Sequence, residues 1–318
     1  MKPPPFLISF PDKGAFRSAL SAEDLGTYWA DCERLIDSRF PPVVSVRALA
    51  CLFGFSASFV GALNRKPERY YRTFEIHKGR KRRVINAPKV ALKVIQKWFA
   101  HHLSEVVKFH DCVYGFVPGR SSGLAAARHC GADWVYSIDI ANFFPTTSHA
   151  KVAAALQALG YPQHGAELIA RLCCYSGNLA QGSPASPILS NLVFSPFDEL
   201  LLTLADRFGA TYTRYADDIV FSGKGSAPEE LADGVRSIVT AAGWQVADGK
   251  ETLAKRPHRL KVHGLLVHSA RPRLTKGYRN RIRALKHLSA HDKLRADGRQ
   301  KAMGHLSYAR SIDELKLA

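Results

Sequence analysis

Two adjacent carboxylates sit in the stretch Tyr212-Thr213-Arg214-Tyr215-Ala216-Asp217-Asp218-Ile219-Val220-Phe221-Ser222. The aromatic and β-branched residues on both sides are strand formers, so the pattern predicts a strand–turn–strand over residues 211–222 with the acids at its bend. Aspartate suits turns, and the pair alone reads as turn chemistry. Apolar flanks that would bury the hairpin and leave two carboxylates at its tip open a second reading, a cation site. Asp139 has the same setting: Trp134–Ile138 runs as an apolar strand into the acid, ahead of Ile140 and Phe143-Phe144-Pro145. Hard divalent ions such as Mg²⁺ take oxygen ligands, few of them protein carboxylates, with substrate phosphates completing the shell. A pair of such ions can activate a hydroxyl and stabilise a pyrophosphate leaving group. Adjacent strands of one sheet would bring Asp139 within reach of Asp217 and Asp218. Separate turn and cap aspartates are the alternative.

A third element is Leu179-Ala180-Gln181-Gly182-Ser183-Pro184-Ala185-Ser186-Pro187. Gly182 and the prolines fix a tight loop, and Ser186 can cap a helix opened by Pro187. Such a loop could lie under a base pair with Gln181 reaching a nucleotide, or be a rigid connection only.

The elements that must position these residues follow from periodicity. Helical spacing predicts a helix near Ala22–Ser38, then, after Phe40-Pro41-Pro42, a helical pair over 45–63 broken at Gly54; this is a helix-turn-helix or a buried helical hairpin. Alternation over 70–85 with Gly79 predicts a basic hairpin ending at Asn86-Ala87-Pro88. Helices are expected over 89–107, 123–130, 149–159, 164–174, 227–242 and 276–290. Short strands are expected over 113–117, 134–138 and 260–267. The order is mixed α+β without a repeating βαβ rhythm.

The 318 residues are 46% hydrophobic and 23% charged, which excludes wholesale disorder and collagen-like repeats. No run approaches 18 uninterrupted apolar residues, and Met1–Phe6 lacks the build of a signal peptide, so no membrane span is expected and the location expected is cytoplasmic. Six scattered cysteines without a CxxC pair read as buried thiols. The net charge of +18 is concentrated: residues 65–83 carry a surplus of +7 and residues 250–300 one of +12, on an otherwise near-neutral chain. Two single-sign blocks suggest a polyanion track driven by counterion release; a general solubility charge is the alternative.

Tyr215-Ala216-Asp217-Asp218, Asp139…Phe143-Phe144 and Gln181-Gly182-x-x-x-Ser186-Pro187 resemble three central motifs of reverse transcriptases, in family order. Arg83-x-Ile85-x-x-Pro88, Tyr114-Gly115-Phe116 and Gly243…Lys250 resemble further ones, so the likeness spans roughly residues 70–270. The chain length, Arg171-Leu172-Cys173-Cys174-Tyr175, the strand Val262–Val267 and the tail Gly304-His305-Leu306-Ser307-Tyr308 resemble the compact bacterial retron type.

The resemblance implies an α+β right-hand polymerase of fingers, palm and thumb, with an antiparallel palm sheet and a helical N-terminal extension. Residues 1–64 would be that extension, 65–270 fingers and palm, and 271–318 the thumb. It implies that a structured noncoding RNA is copied into multicopy single-stranded DNA from dNTPs, primed by a guanosine 2′-OH. The setting implied is antiphage defence beside a separately encoded effector protein. Asp139, Asp217 and Asp218, with the Ile140 carbonyl, would hold two Mg²⁺ ions. Arg83 would grip the triphosphate, Gln181 the nucleotide, Phe144 would exclude a ribonucleotide 2′-OH, and Lys250 would protonate pyrophosphate. Arg80, Arg82, His129, His263, Lys276, Arg279 and Arg283 are the expected RNA or DNA contacts. Three positions depart from the retron pattern: Ala125 where the Asn of Asn-Ala-x-x-His is expected, His263 in place of the Thr of Val-Thr-Gly, and Ala247 in place of an Asn. Another stand-alone bacterial reverse transcriptase, group II intron-like or abortive-infection type, is the alternative, and a non-catalytic RNA-binding protein on the same fold is the third.

Overall fold

The computed structural model describes residues 7–78, 81–291 and 296–316. Its helices are α1 (Lys13–Ala19), α2 (Ala22–Asp37), α3 (Val46–Phe53), α4 (Ala57–Arg65), α5 (Val90–Val106), α6 (Ser122–Arg128), α7 (His149–Ala158), α8 (Gln163–Cys173), α9 (Ser186–Arg207), α10 (Glu229–Ala241), α11 (Lys276–Ala290) and α12 (Ala296–Asp313). The strands are β1 (Tyr71–Lys78), β2 (Lys81–Pro88), β3 (Trp134–Asp139), β4 (Cys174–Tyr175), β5 (Asn178–Leu179), β6 (Thr211–Tyr215), β7 (Asp218–Gly223), β8 (Thr252–Lys255), β9 (Lys261–Val262), β10 (Leu265–Leu266) and β11 (Arg273–Leu274). The mixed α+β class expected from the sequence is met, with antiparallel strand pairing.

The chain divides into two compact units, residues 1–109 with 142–196, and residues 110–141 with 197–318. In the first unit, Ser45 caps α3 and a left-handed Gly54 ends it, so the expected helical pair forms as α3 and α4. The basic hairpin forms as β1 and β2, with Tyr71 opposite Pro88 and Ile76 opposite Arg83.

The second unit is built on a four-stranded antiparallel sheet in the order β6-β7-β3-β8. Both faces of its central strands are covered, which explains why β3 and β7 are nearly continuous apolar runs. On one face, Val135 and Val220 pack in a core with Val262 and Leu265 of the small β11-β10-β9 sheet, Ile282 of α11, and Ala309 and Ile312 of α12. On the other face Tyr212 stacks on Phe221, their ring centroids 4.9 Å apart.

Several elements differ from expectation. Val113–Val117 forms a loop with a single bridge from Val113 to Arg214 rather than a strand. The strand expected over 260–267 is two short strands around a turn at His263-Gly264. Helix α9 is long and apolar enough to cross a membrane, although no uninterrupted apolar run announces it. Asp198 within it has no exposed surface and pairs with Arg214, also fully buried, and 56% of its apolar window is buried, as in the core helix of a folded domain.

His129, just past α6, is sealed against the sheet, with Nδ1 2.7 Å from Ser222 Oγ and Nε2 2.7 Å from Thr213 Oγ1. Burial, and behind it the neighbouring His263, pushes its pKa from 6.5 down to about 3, so it folds neutral. The unfolded chain then binds the extra proton below pH 6.5, and stability falls as pH drops from there toward 3. Urea unfolding is expected to lose about 2 kcal/mol more between pH 7 and pH 5 in the wild type than in His129→Gln, which carries no titrating ring. Equal pH slopes in the two proteins contradict this.

Candidate functional site

Strand pairing places the acids. In the β3–β7 register Asp139 lies directly opposite Asp218, and in the β6–β7 register Tyr215 lies opposite Asp218. Side chains alternate between faces, so Asp139 and Asp218 emerge on one face at one end of the sheet. Asp217 occupies the two-residue turn between β6 and β7, after Ala216 at φ +59°. A positive φ at the first central position suits glycine, so alanine there marks a turn held by its surroundings.

Those surroundings are specific. Arg214 donates from Nε to Asp198 Oδ1 at 2.8 Å and from Nη2 to Oδ2 at 2.6 Å, while its Nη1 holds the Ala216 carbonyl at 3.2 Å. Tyr212 donates its hydroxyl to the same Asp198 at 2.7 Å. Gly115 backs the turn from outside: a Cβ there would lie 2.2 Å from the Ala216 nitrogen. The Tyr114 and Gly115 N–H groups both point at the Arg214 carbonyl, at 2.8 and 3.4 Å. Ile140, buried at 1% exposure, donates its N–H to the Asp217 carbonyl at 2.9 Å, leaving its backbone rather than its side chain to serve the site. Past Asp139, the chain pairs with the segment 245–247: Ala141 N–H to Gln245 O at 2.8 Å and Ala247 N–H to Asp139 O at 2.7 Å. Position 247 therefore acts through its backbone, whatever its side chain.

The electrostatics match a site for cations. Burial, then the charge and hydrogen bond of Asp139, push Asp217 up to about 6. Lys250, held above the ordinary lysine range chiefly by its hydrogen bond to Asp139, donates from Nζ to Asp139 Oδ2 at 2.6 Å. Asp218 Oδ2 lies 2.9 Å from Nδ1 of His263. The donors are all oxygen, one of them is raised by burial and by its carboxylate neighbour, and this set fits a hard divalent ion such as Mg²⁺.

In the first unit, the Gln181-Gly182 loop is docked on the basic hairpin. The Asn86 N–H donates to the Gln181 carbonyl at 2.8 Å, and a Cβ on Gly182 would lie 2.9 Å from both Asn86 O and Ile85 Cγ2. Arg83 shares a face of β2 with Ile85 and is exposed. A buried network fixes the loop from below: Ser183 Oγ donates to Gln96 Oε1 at 2.8 Å, and Gln96 Nε2 donates to the Tyr71 hydroxyl and the Leu172 carbonyl. Ser186 turns its hydroxyl back onto the Ala180 carbonyl at 2.7 Å instead of capping α9. Phe144 is half-buried, its ring 5.8 Å from that of Phe143.

Of the expected nucleic-acid contacts, Arg82, Lys276, Arg279 and Arg283 are exposed. Arg279 and Arg283 line a cleft of about 560 Å³ with Arg271, Arg273 and Lys286 over a floor that includes Leu274 and Ile282. Arg80 lies outside the described residues. His129 and His263 are corrected: at 1% residue exposure and 6% side-chain exposure they are internal, and neither offers RNA a surface. Arg214 and Asp198 escape a sequence reading, because nothing marks two charges 16 residues apart as a buried pair.

The sequence profile described as "Reverse transcriptase (RNA-dependent DNA polymerase)" matches residues 76–267. The chain belongs to this family. Its relatives include the retron Mx162 and Mx65 reverse transcriptases of Myxococcus xanthus, 31% and 32% identical over 77% and 78% of this chain. The retron Ec86 reverse transcriptase of Escherichia coli is 29% identical over 68% of the chain and 69% of its own length. The match spans 60% and 63% of the two Myxococcus proteins. The likeness to retron-type reverse transcriptases seen in the motifs is thus borne out across most of the chain.

Within the family, the glycine of Tyr114-Gly115-Phe116 acquires a physical reason, since backbone approaches backbone behind the aspartate turn. Gly115→Ala inserts a methyl with only main chain to push against, a strain of about 1–3 kcal/mol or more. A folded variant with a lowered melting temperature is expected. An unchanged melting temperature contradicts this geometry.

Proposed function

We propose that the chain is a retron-type RNA-directed DNA polymerase that copies a structured noncoding RNA into multicopy single-stranded DNA. The observation that carries the reading is the convergence of Asp139, Asp217 and Asp218 at one end of an antiparallel sheet, with Lys250 on Asp139, in a member of the reverse transcriptase family. The relatives' names as retron reverse transcriptases support the retron branch. The sheet β6-β7-β3-β8 is the palm, the basic β1–β2 hairpin belongs to the fingers, and α11 with α12 forms the thumb.

Asp139, Asp217, Asp218 and the Ile140 carbonyl would hold two Mg²⁺ ions. Bound there, Mg²⁺ makes the priming hydroxyl a better nucleophile and neutralises charge on the triphosphate. The protein's part is alignment. The hairpin keeps the carboxylates in place, Arg83 grips the triphosphate, Gln181 contacts the nucleotide, and the Phe144 ring stands against a 2′-OH. Lys250 holds a proton at Nζ, ready for the departing pyrophosphate. The cations of the α11 cleft and Arg82 track the nucleic-acid backbone.

Priming from a guanosine 2′-OH, a cytoplasmic location, a separately encoded effector and a role in antiphage defence complete the reading. The six cysteines are free thiols, which agrees with a reducing compartment. Nucleic acid copurified from the native host, run on a denaturing gel with and without RNase and DNase, tests the retron assignment. A discrete DNA band that shifts with RNase and vanishes with DNase supports a branched product. RNA alone moves the assignment to another stand-alone reverse transcriptase. Asp217→Asn removes one metal-binding charge and nothing from the basic track. DNA synthesis is expected to fall on the order of 10³-fold or more while RNA affinity is unchanged; full activity in this variant contradicts the metal assignment.

A further inference from the structure

The turn between β9 and β10 has His263 and Gly264 at its centre, with φ of +49° and +80°. Positive φ at both central positions is the two-residue hairpin turn that favours Asn-Gly. A histidine there carries backbone strain. Its ring is also only half satisfied. Nδ1 lies 2.9 Å from Asp218 Oδ2, whereas Nε2 is buried with no hydrogen-bond partner. A buried polar atom left unpaired is destabilising. Neither the turn nor the unpaired Nε2 accounts for this residue in this orientation. The contact with Asp218 does.

The surroundings fix that contact. The ring centroid of His263 lies 5.3 Å from that of Tyr215, the cross-strand partner of Asp218. Val262 and Leu265, on either side of the turn, are buried in the core that includes Ile282 of α11. A threonine at this position, as in the retron Val-Thr-Gly pattern, ends one bond short of the place that Nδ1 occupies.

The geometry points to His263 as a positioning residue for the carboxylate of Asp218. Its Nδ1–H holds Oδ2, and the carboxylate so oriented would be free to hold a divalent cation. Carboxylates that bind metals are commonly oriented by such outer hydrogen bonds, and loss of one typically weakens metal binding about 10- to 100-fold. This rests on the polymerase reading and deepens it, since the position that departs from the retron pattern becomes part of the metal site's frame.

Mn²⁺ binding to the purified full-length chain, followed by the loss of the free-ion electron paramagnetic resonance signal, separates the two levels. His263→Asn places an amide N–H where Nδ1–H stands and suits a positive φ. His263→Gln carries its amide on a longer stem, out of that position. Melting temperatures establish that both variants are folded. The asparagine variant is expected to bind Mn²⁺ close to the wild-type affinity, and the glutamine variant about tenfold more weakly or worse. Primer extension should follow the same order at limiting Mn²⁺. Equal affinity in all three proteins overturns the role of His263, and so does equal loss in both variants, which would make the effect one of packing. A wild type that binds no Mn²⁺ overturns the metal reading itself.

Discussion

Three carboxylates held at one end of a sheet repel one another, and the second unit is organised around keeping them there. The central device is the buried pair of Arg214 and Asp198, bidentate at 2.8 and 2.6 Å and without exposed surface on either side chain. Removing one partner of such a pair leaves an unpaired buried charge and costs about 3–5 kcal/mol. Here the guanidinium also holds the Ala216 carbonyl, so α9 and the aspartate turn are joined through one side chain. The unfavourable φ of Ala216 persists because this bond and the Gly115 backbone over-determine it.

The remaining contacts close around the same hairpin. His129 ties its two strands to the end of α6 through Thr213 and Ser222. His263 reaches Asp218 from the β9–β10 turn, and Lys250 reaches Asp139 from the segment that pairs beyond β3. Burial, and after it the charge of Asp139, keeps the pKa of Asp217 raised to about 6. A site in that condition favours a divalent cation, because the ion removes the cost that the fold sustains.

Much of this is legible in the residues. The 211–222 hairpin, the strand into Asp139, the basic hairpin and most helices follow from periodicity and turn chemistry, since each is set by local pattern. What escapes is set by distant contact. Thr252–Lys255 pairs with β3 as an edge strand, but it is short and largely exposed, so no apolar alternation announces it. Val113–Val117 has strand-forming residues, yet Gly115 must approach Ala216 too closely for a regular ladder. His129 and His263 look like surface contacts for a polyanion in a strongly basic chain, and burial turns both inward. Arg214 and Asp198 look like ordinary charges until the fold brings them together.

We take Asp139, Asp217 and Asp218 to form one cation site held ready by the frame around the hairpin. Anomalous diffraction from crystals of the protein grown with Mn²⁺ and a non-hydrolysable deoxynucleoside triphosphate tests it most directly. Manganese peaks against these three carboxylates, with Lys250 drawn off Asp139, are expected. Well-ordered crystals with nucleotide bound and no manganese against the three aspartates would contradict it.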